Sequence, residues 1–204
     1  MFEYIVFGFT FAFAAAVQPG PLTTYLISQT LSKGWRTTLP ATMAPLISDG
    51  PIILIILFLL SHISPFMISI LQILGGLFLL YLSLSAYKSW KNYSFKNSLS
   101  HLSPAQTLLK AAVVNFLNPN PYLGWSLVMG PQLIKGWHAN PSYGIVLLVS
   151  FYTTIIIILG AITGIFATAR NLGPKLNKTL IGISAIALLA FGLYELWAGA
   201  KVYL

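Results

Sequence analysis

The chain has 204 residues, 57% of them hydrophobic and 7% charged, with a formal net charge of +8. A soluble domain carries roughly 25% charged residues, so a water-soluble globule is excluded. With no cysteine in the chain, disulfides, thiol redox chemistry and thiolate metal sites are excluded as well. The basic residues sit in short loops, so membrane topology and lipid head groups account for the charge better than nucleic acid does.

The apolar runs are each about 20 residues long, the length that crosses about 30 Å of hydrocarbon. They predict an all-α membrane protein with six transmembrane helices at about 5–27, 40–60, 65–87, 107–130, 142–168 and 178–199. Met1-Phe2-Glu3 lacks the positive start of a signal peptide, so the first run reads as a retained span despite Ala14-Ala15-Ala16.

Span one contains Gln18-Pro19-Gly20-Pro21, and span four, one hundred residues later, contains Asn118-Pro119-Asn120-Pro121. Each is a carboxamide, a proline, a residue tolerant of unusual backbone angles and a second proline. Proline has no N–H and clashes with the carbonyl four residues back. The carbonyls of Ala15, Val17, Asn115 and Leu117 should therefore lack helical partners. Unpaired backbone at membrane depth is tolerated only against protein or a wet cavity. Broken helices at matching places in two halves point to a transporter's binding site.

Span two carries Asp49, flanked by Ser48 and by Gly50-Pro51, which should disturb that helix too. Nine residues into the span, at 1.5 Å per residue, Asp49 lies about 14 Å deep, near the midplane. No basic residue lies at similar depth in any span, so Asp49 is either protonated at rest or paired with a bound cation. Its counterpart one hundred residues on, Val149, is apolar.

Spans three and four are joined by a polar segment, about 91–103, that divides the single membrane domain into halves at 1–90 and 104–204. The loops after spans one, three and five, with the foot of span four, hold Lys33, Arg36, Lys88, Lys91, Lys96, Lys110, Arg170, Lys175 and Lys178; the other side holds only Lys135 and Lys201. The bias places the basic loops and the 91–103 linker in the cytoplasm and both termini outside the cell (inner) membrane. Three spans per half make the halves inverted repeats, with a fainter echo between Tyr81–Tyr87 and Leu188–Tyr194. Ala12, Ala14 to Ala16, Gly75-Gly76, the Gly160/Gly164 pair, Gly192 and Gly199 mark close helix contacts. Trp35, Trp90, Trp125, Trp137 and Trp197, with Tyr4, Tyr143 and Tyr203, read mostly as interfacial anchors.

The remaining acids are Glu3, at the outer end of span one, and Glu195, which either snorkels outward or pairs with Lys201. The uncharged polar set is Gln18, Thr23, Thr24, Asn115, Asn118 and Asn120. A carboxamide donates and accepts, so Gln18 and Asn118 can bind a zwitterion or cap a half-helix. Asn115, one turn before Pro119, can also satisfy the freed carbonyls. His62, His101 and His138 fall singly in loops, no cluster has metal-ligand spacing, and no phosphate-binding glycine loop is present. Nothing points to an enzyme or to a cofactor.

Pro19-Gly20-Pro21, the loop Gly34-Trp35-Arg36, the run Pro45-Leu46-Ile47-Ser48-Asp49-Gly50-Pro51, Gly75-Gly76-Leu77 with Leu80-Tyr81-Leu82, and Asn118-Pro119-Asn120-Pro121 together resemble the LysE-type translocators, the lysine exporter or RhtB family. The resemblance covers essentially the whole chain. It implies six spans and ion-gradient-driven efflux of amino acids or related small solutes, with the proline motifs and the acid important. The usual glycine-rich start of the second span stands here as Leu39-Pro40-Ala41-Thr42-Met43-Ala44-Pro45, a departure that bears on substrate preference. The expected site is Gln18, Pro19, Gly20, Pro21, Asp49, Asn115, Asn118, Pro119, Asn120 and Pro121. The expected partners are a small solute with amino acid favoured, the bilayer, a coupling proton or cation, and a second copy of the chain. Two alternatives stay open: export of a metal or other inorganic cation, and a non-transporting membrane assembly subunit whose broken helices pack dry.

Overall fold

The computed structural model describes residues 1–58, 65–92, 103–170 and 173–201. His62, His101, Lys96, most of the 91–103 linker and Tyr203 lie outside the described residues. Those described form helices joined by short turns, with no strand among them.

The first predicted span is two helices, α1 (Phe2–Val17) and α2 (Pro21–Lys33), bent by 61° at the proline motif. Gly34, at φ 95°, turns the chain into α3 (Trp35–Thr38), a 3₁₀ turn (Leu39–Met43) and α4 (Ala44–Phe58). The long helix α5 follows (Pro65–Lys91). The fourth predicted span is cut further, into α6 (Pro104–Leu117), α7 (Pro119–Gly124), a π turn (Trp125–Met129) and α8 (Gly130–Ala139). The long helices α9 (Pro141–Arg170) and α10 (Pro174–Ala200) complete the fold. Among the described residues four helical stretches are long and apolar enough to cross a membrane, Trp35–Ile56, Ser69–Lys91, Pro141–Ala169 and Pro174–Ala200. Counting the bent pair α1–α2 as one span makes five. The stretch predicted as span four is too fragmented to count by length.

Local chemistry explains where the helices start and stop. Prolines stand at the first turn of α2, α6, α7 and α10, where the missing N–H costs nothing. At α6 a capping box closes the start: Gln106 N–H donates to Ser103 Oγ, and Ser103 N–H to Gln106 Oε1. The expected disturbance at Gly50-Pro51 does not end the helix, since Pro51 sits inside a continuous α4. The unpredicted π turn just precedes Pro131. Gly130 N–H reaches back five residues to the Trp125 carbonyl, the spacing that defines a π-bulge.

Two long contacts hold the bundle. Helices α5 and α10 run against each other with Gly76 meeting Gly192: a Cβ on Gly76 would lie 2.8 Å from the Gly192 carbonyl. Ser69 and Ser83 on α5 donate to the Gly199 and Ala185 carbonyls, at 2.6 and 2.9 Å. Such small-residue contacts replace the hydrophobic effect as glue within lipid. Helices α1 and α9 meet through Ser150, whose hydroxyl donates to the Ile5 carbonyl at 2.7 Å, and through the stacked rings of Tyr4 and Tyr143. The expectation for Gly160 and Gly164 does not hold. Among the described residues, nothing lies within 4 Å of a Cβ on Gly164 and only the tip of Leu39, at 3.9 Å, for Gly160, so this GxxxG faces none of the described helices. Tyr4, expected as an interfacial anchor, is buried.

The ends of α2 and α5 and the starts of α6 and α10 gather at one end of the molecule. Asn177 donates to the Leu31 carbonyl at 3.2 Å, Lys178 lies 5.6 Å from the Trp90 ring centre, and Lys33 and Lys110 stand near each other. The basic residues of different loops thus share one pole.

Candidate functional site

The two proline motifs open onto one cavity of about 240 Å³. Nine of the ten expected site residues line it: Gln18, Pro19, Gly20, Pro21, Asp49, Asn115, Asn118, Asn120 and Pro121. Pro119 does not; it is buried at the first turn of α7. Thr23 is on the wall and Thr24 is not. The rest of the lining is apolar, from Phe11 and Ala14 to Ala16 on α1 and from Phe151, Ile155 and Leu159 on α9. The breaks therefore do not pack dry, which is the arrangement the assembly-subunit alternative requires.

The motifs share a backbone but not a geometry. Gln18 (φ −61°, ψ 126°) and Asn118 (φ −80°, ψ 126°) leave their helices in the same extended conformation. After Asn118 the helix resumes at once, because the Asn118 Oδ1 accepts the Asn120 N–H at 3.1 Å and Pro119 takes the first helical position. Asparagine caps a helix start well. Gln18 makes no such bond, and the chain stays extended through Gly20 before α2 begins. The first break is thus the wider one. Asn118 N–H also reaches the Asn115 carbonyl at 3.3 Å, so that carbonyl, expected to be left free by Pro119, has a donor.

Asp49 is buried, 3% exposed. Its Oδ1 accepts from Asn115 Nδ2 at 3.1 Å. The same Nδ2 donates to Ser48 Oγ at 2.7 Å, and the Ser48 hydroxyl donates to the Ala44 carbonyl at 3.0 Å. The Trp125 indole and the Tyr152 hydroxyl also face the Asp49 carboxyl within hydrogen-bonding reach. Four neutral polar side chains from α4, α6, the π turn and α9 surround one acid, with no basic side chain among them. Val149, the sequence counterpart of Asp49, points away and is 59% exposed.

Trp125 and Tyr152 are the site residues that sequence reasoning missed. Trp125, expected to be an interfacial anchor, is 3% exposed and packs edge-on against Phe151. The signal available was Pro131, six residues on, which marks a helix disturbance near a tryptophan. Tyr152 sits within an unbroken apolar helix and offered no signal. Glu195 was also misjudged. It is buried, and it faces Gln72 rather than water; Lys201 instead lies over the Trp197 ring. Among the described residues no three His, Cys, Asp or Glu side chains come together.

A family model described as LysE type translocator matches residues 13–199. No curated protein and no solved structure matches the chain.

Proposed function

The chain belongs to the LysE type translocator family, a family of membrane transporters and not of enzymes, and from that premise we propose that it exports amino acids across the cytoplasmic membrane, driven by an ion gradient. The observation that carries the reading is that one acid and one helix start share the cavity. Asp49 is the only carboxylate on the wall. The first turn of α2 is on the same wall through Pro21, Leu22 and Thr23. The N–H groups of a first helical turn have no helical acceptors and carry the positive end of the dipole. An α-amino acid presents the complementary pair, an ammonium for Asp49 and a carboxylate for the α2 start. The Gln18 and Asn118 carboxamides add neutral donors and acceptors. The cavity, at about 240 Å³, is below the roughly 300–1,000 Å³ of sites for drug-sized ligands, which suits a small solute.

Alternating access between two inverted three-helix halves would move the cavity from one side to the other. The pairing of helices supports this. Exchanging the halves maps the α1–α9 contact onto the α4–α6 contact and the α5–α10 contact onto itself, and all three contacts occur. Asp49 breaks the symmetry, so one half alone carries the titratable group in the cavity. In this cycle a proton leaves Asp49 when the substrate ammonium binds and returns to it after substrate release. Exchange of one proton for one zwitterion follows.

Cells expressing the protein and loaded with labelled amino acids test the substrate class. Saturable efflux above the empty-vector rate, collapsed by a protonophore, is the expected result. No amino-acid efflux, with protection against a metal salt instead, would replace this reading with inorganic-cation export.

A further inference from the structure

Glu195 is the second buried acid, and the substrate cavity does not include it. It is 7% exposed, held away from lipid where α10 crosses α5 at Gly192 and Gly76. Its Oε2 has no hydrogen-bond partner among the described residues. Among the described residues, the Gln72 carboxamide is the one side chain that bonds to it. The titratable and charged groups among the described side chains of the elements packed against α10 are Tyr25 and Lys33 on α2, Tyr81, Tyr87, Lys88 and Lys91 on α5, and Tyr143 and Tyr152 on α9. None of them bears on the Glu195 carboxyl.

The carboxyl lines a second, smaller cavity of about 10 Å³, shared with Pro21, Gly75, Leu117 and Asn118. That is room for about one water. Pro21 and Asn118 also line the substrate cavity, so the two spaces meet at both helix breaks. Leu117 brings a carbonyl that Pro121 deprives of its helical donor. Gly75 lets this carbonyl come close: a Cβ there would stand 2.7 Å from the Leu117 oxygen. A buried carboxyl with no opposite charge must hold a proton or a cation. A one-water space beside one carboxamide has no place for a hydrated metal ion.

We infer that Glu195 is a second proton-binding site, set on the far side of the two helix breaks from Asp49, which takes up and releases a proton as the breaks move. Its consequence for transport rests on the ion-driven export reading; its occupancy by a proton does not. In proteoliposomes, Glu195→Gln is expected to keep substrate counterflow without a gradient and to show a several-fold smaller flux under an imposed pH gradient than wild type, because the proton exchanged at Asp49 remains and the one at Glu195 is lost. Wild-type gradient-driven flux in Glu195→Gln overturns the inference. An infrared titration of the purified protein separates it from the substrate assignment. A protonated-carboxyl band present in the wild type and in Asp49→Asn but missing in Glu195→Gln supports the site even if no amino acid is transported. Identical bands in the wild type and Glu195→Gln overturn it. Should Glu195→Gln fail to fold, Gln72→Leu leaves the acid in place and is expected to move the midpoint of that band; an unmoved midpoint overturns the inference.

Discussion

Asn115 donates from Nδ2 to Asp49 Oδ1 across 3.1 Å, tying the helix that ends at the second proline motif to the acid of the cavity between the two breaks. This bond couples the shape of a break to the state of a titratable group. Replacing Asn115 by Ala leaves a buried oxygen short of a donor, at a cost of about 1–3 kcal/mol. A denaturant midpoint measured in detergent should fall accordingly, and transport should fall with it. A variant as stable and as active as wild type would show that the bond is incidental.

Trp125 contributes both an indole N–H toward Asp49 and a ring against Phe151. Trp125→Phe keeps most of the ring packing and removes the donor. A hydrogen bond to a charged group is worth about 1.5–3 kcal/mol, so substrate exchange should drop by about tenfold or more, and the unfolding midpoint should fall no further than in Asn115→Ala. The opposite pattern, lost stability with intact exchange, would assign Trp125 to packing alone.

Gly75 and Gly164 make a paired prediction. A Cβ on Gly75 would press on the Leu117 carbonyl at 2.7 Å, whereas one on Gly164 meets nothing within 4 Å among the described residues. Gly75→Ala should destabilise by about 1–3 kcal/mol, the usual range for overpacking. Gly164→Ala should be neutral or stabilising by roughly 0.5–1 kcal/mol, because glycine costs that much inside a helix. Unfolding curves of the two variants in one detergent check both statements.

How far the sequence could be read follows from the kind of signal each residue gives. Proline acts locally on the backbone, so both helix breaks and their shared cavity were legible from Gln18 to Pro21 and from Asn118 to Pro121. The buried acid Asp49 was legible because charge in lipid is rare. What depends on three-dimensional contact was not legible. Gly160 and Gly164 have the spacing of a helix contact but face none of the described helices. Glu195 looked free to reach water four residues from a span end, yet Gln72 and the α5–α10 crossing enclose it. Tryptophan at a span end is most often an anchor, and that statistic misassigned Trp125, which the π turn rotates inward.

The chain has no cysteine, so single cysteines report topology without background. The proposed orientation predicts that Lys91→Cys is reached by a membrane-impermeant maleimide only from the cytoplasmic side, and Lys135→Cys only from outside. Labelling of both from one side would contradict the inverted halves.

The central claim is that Asp49 exchanges a proton for an amino acid in the cavity between the two breaks. Counterflow of a labelled amino acid in proteoliposomes carrying wild type or Asp49→Asn tests it most directly. The account predicts saturable counterflow for wild type and none for Asp49→Asn, with the two proteins unfolding at similar denaturant concentrations. Counterflow of wild-type size in Asp49→Asn would contradict it.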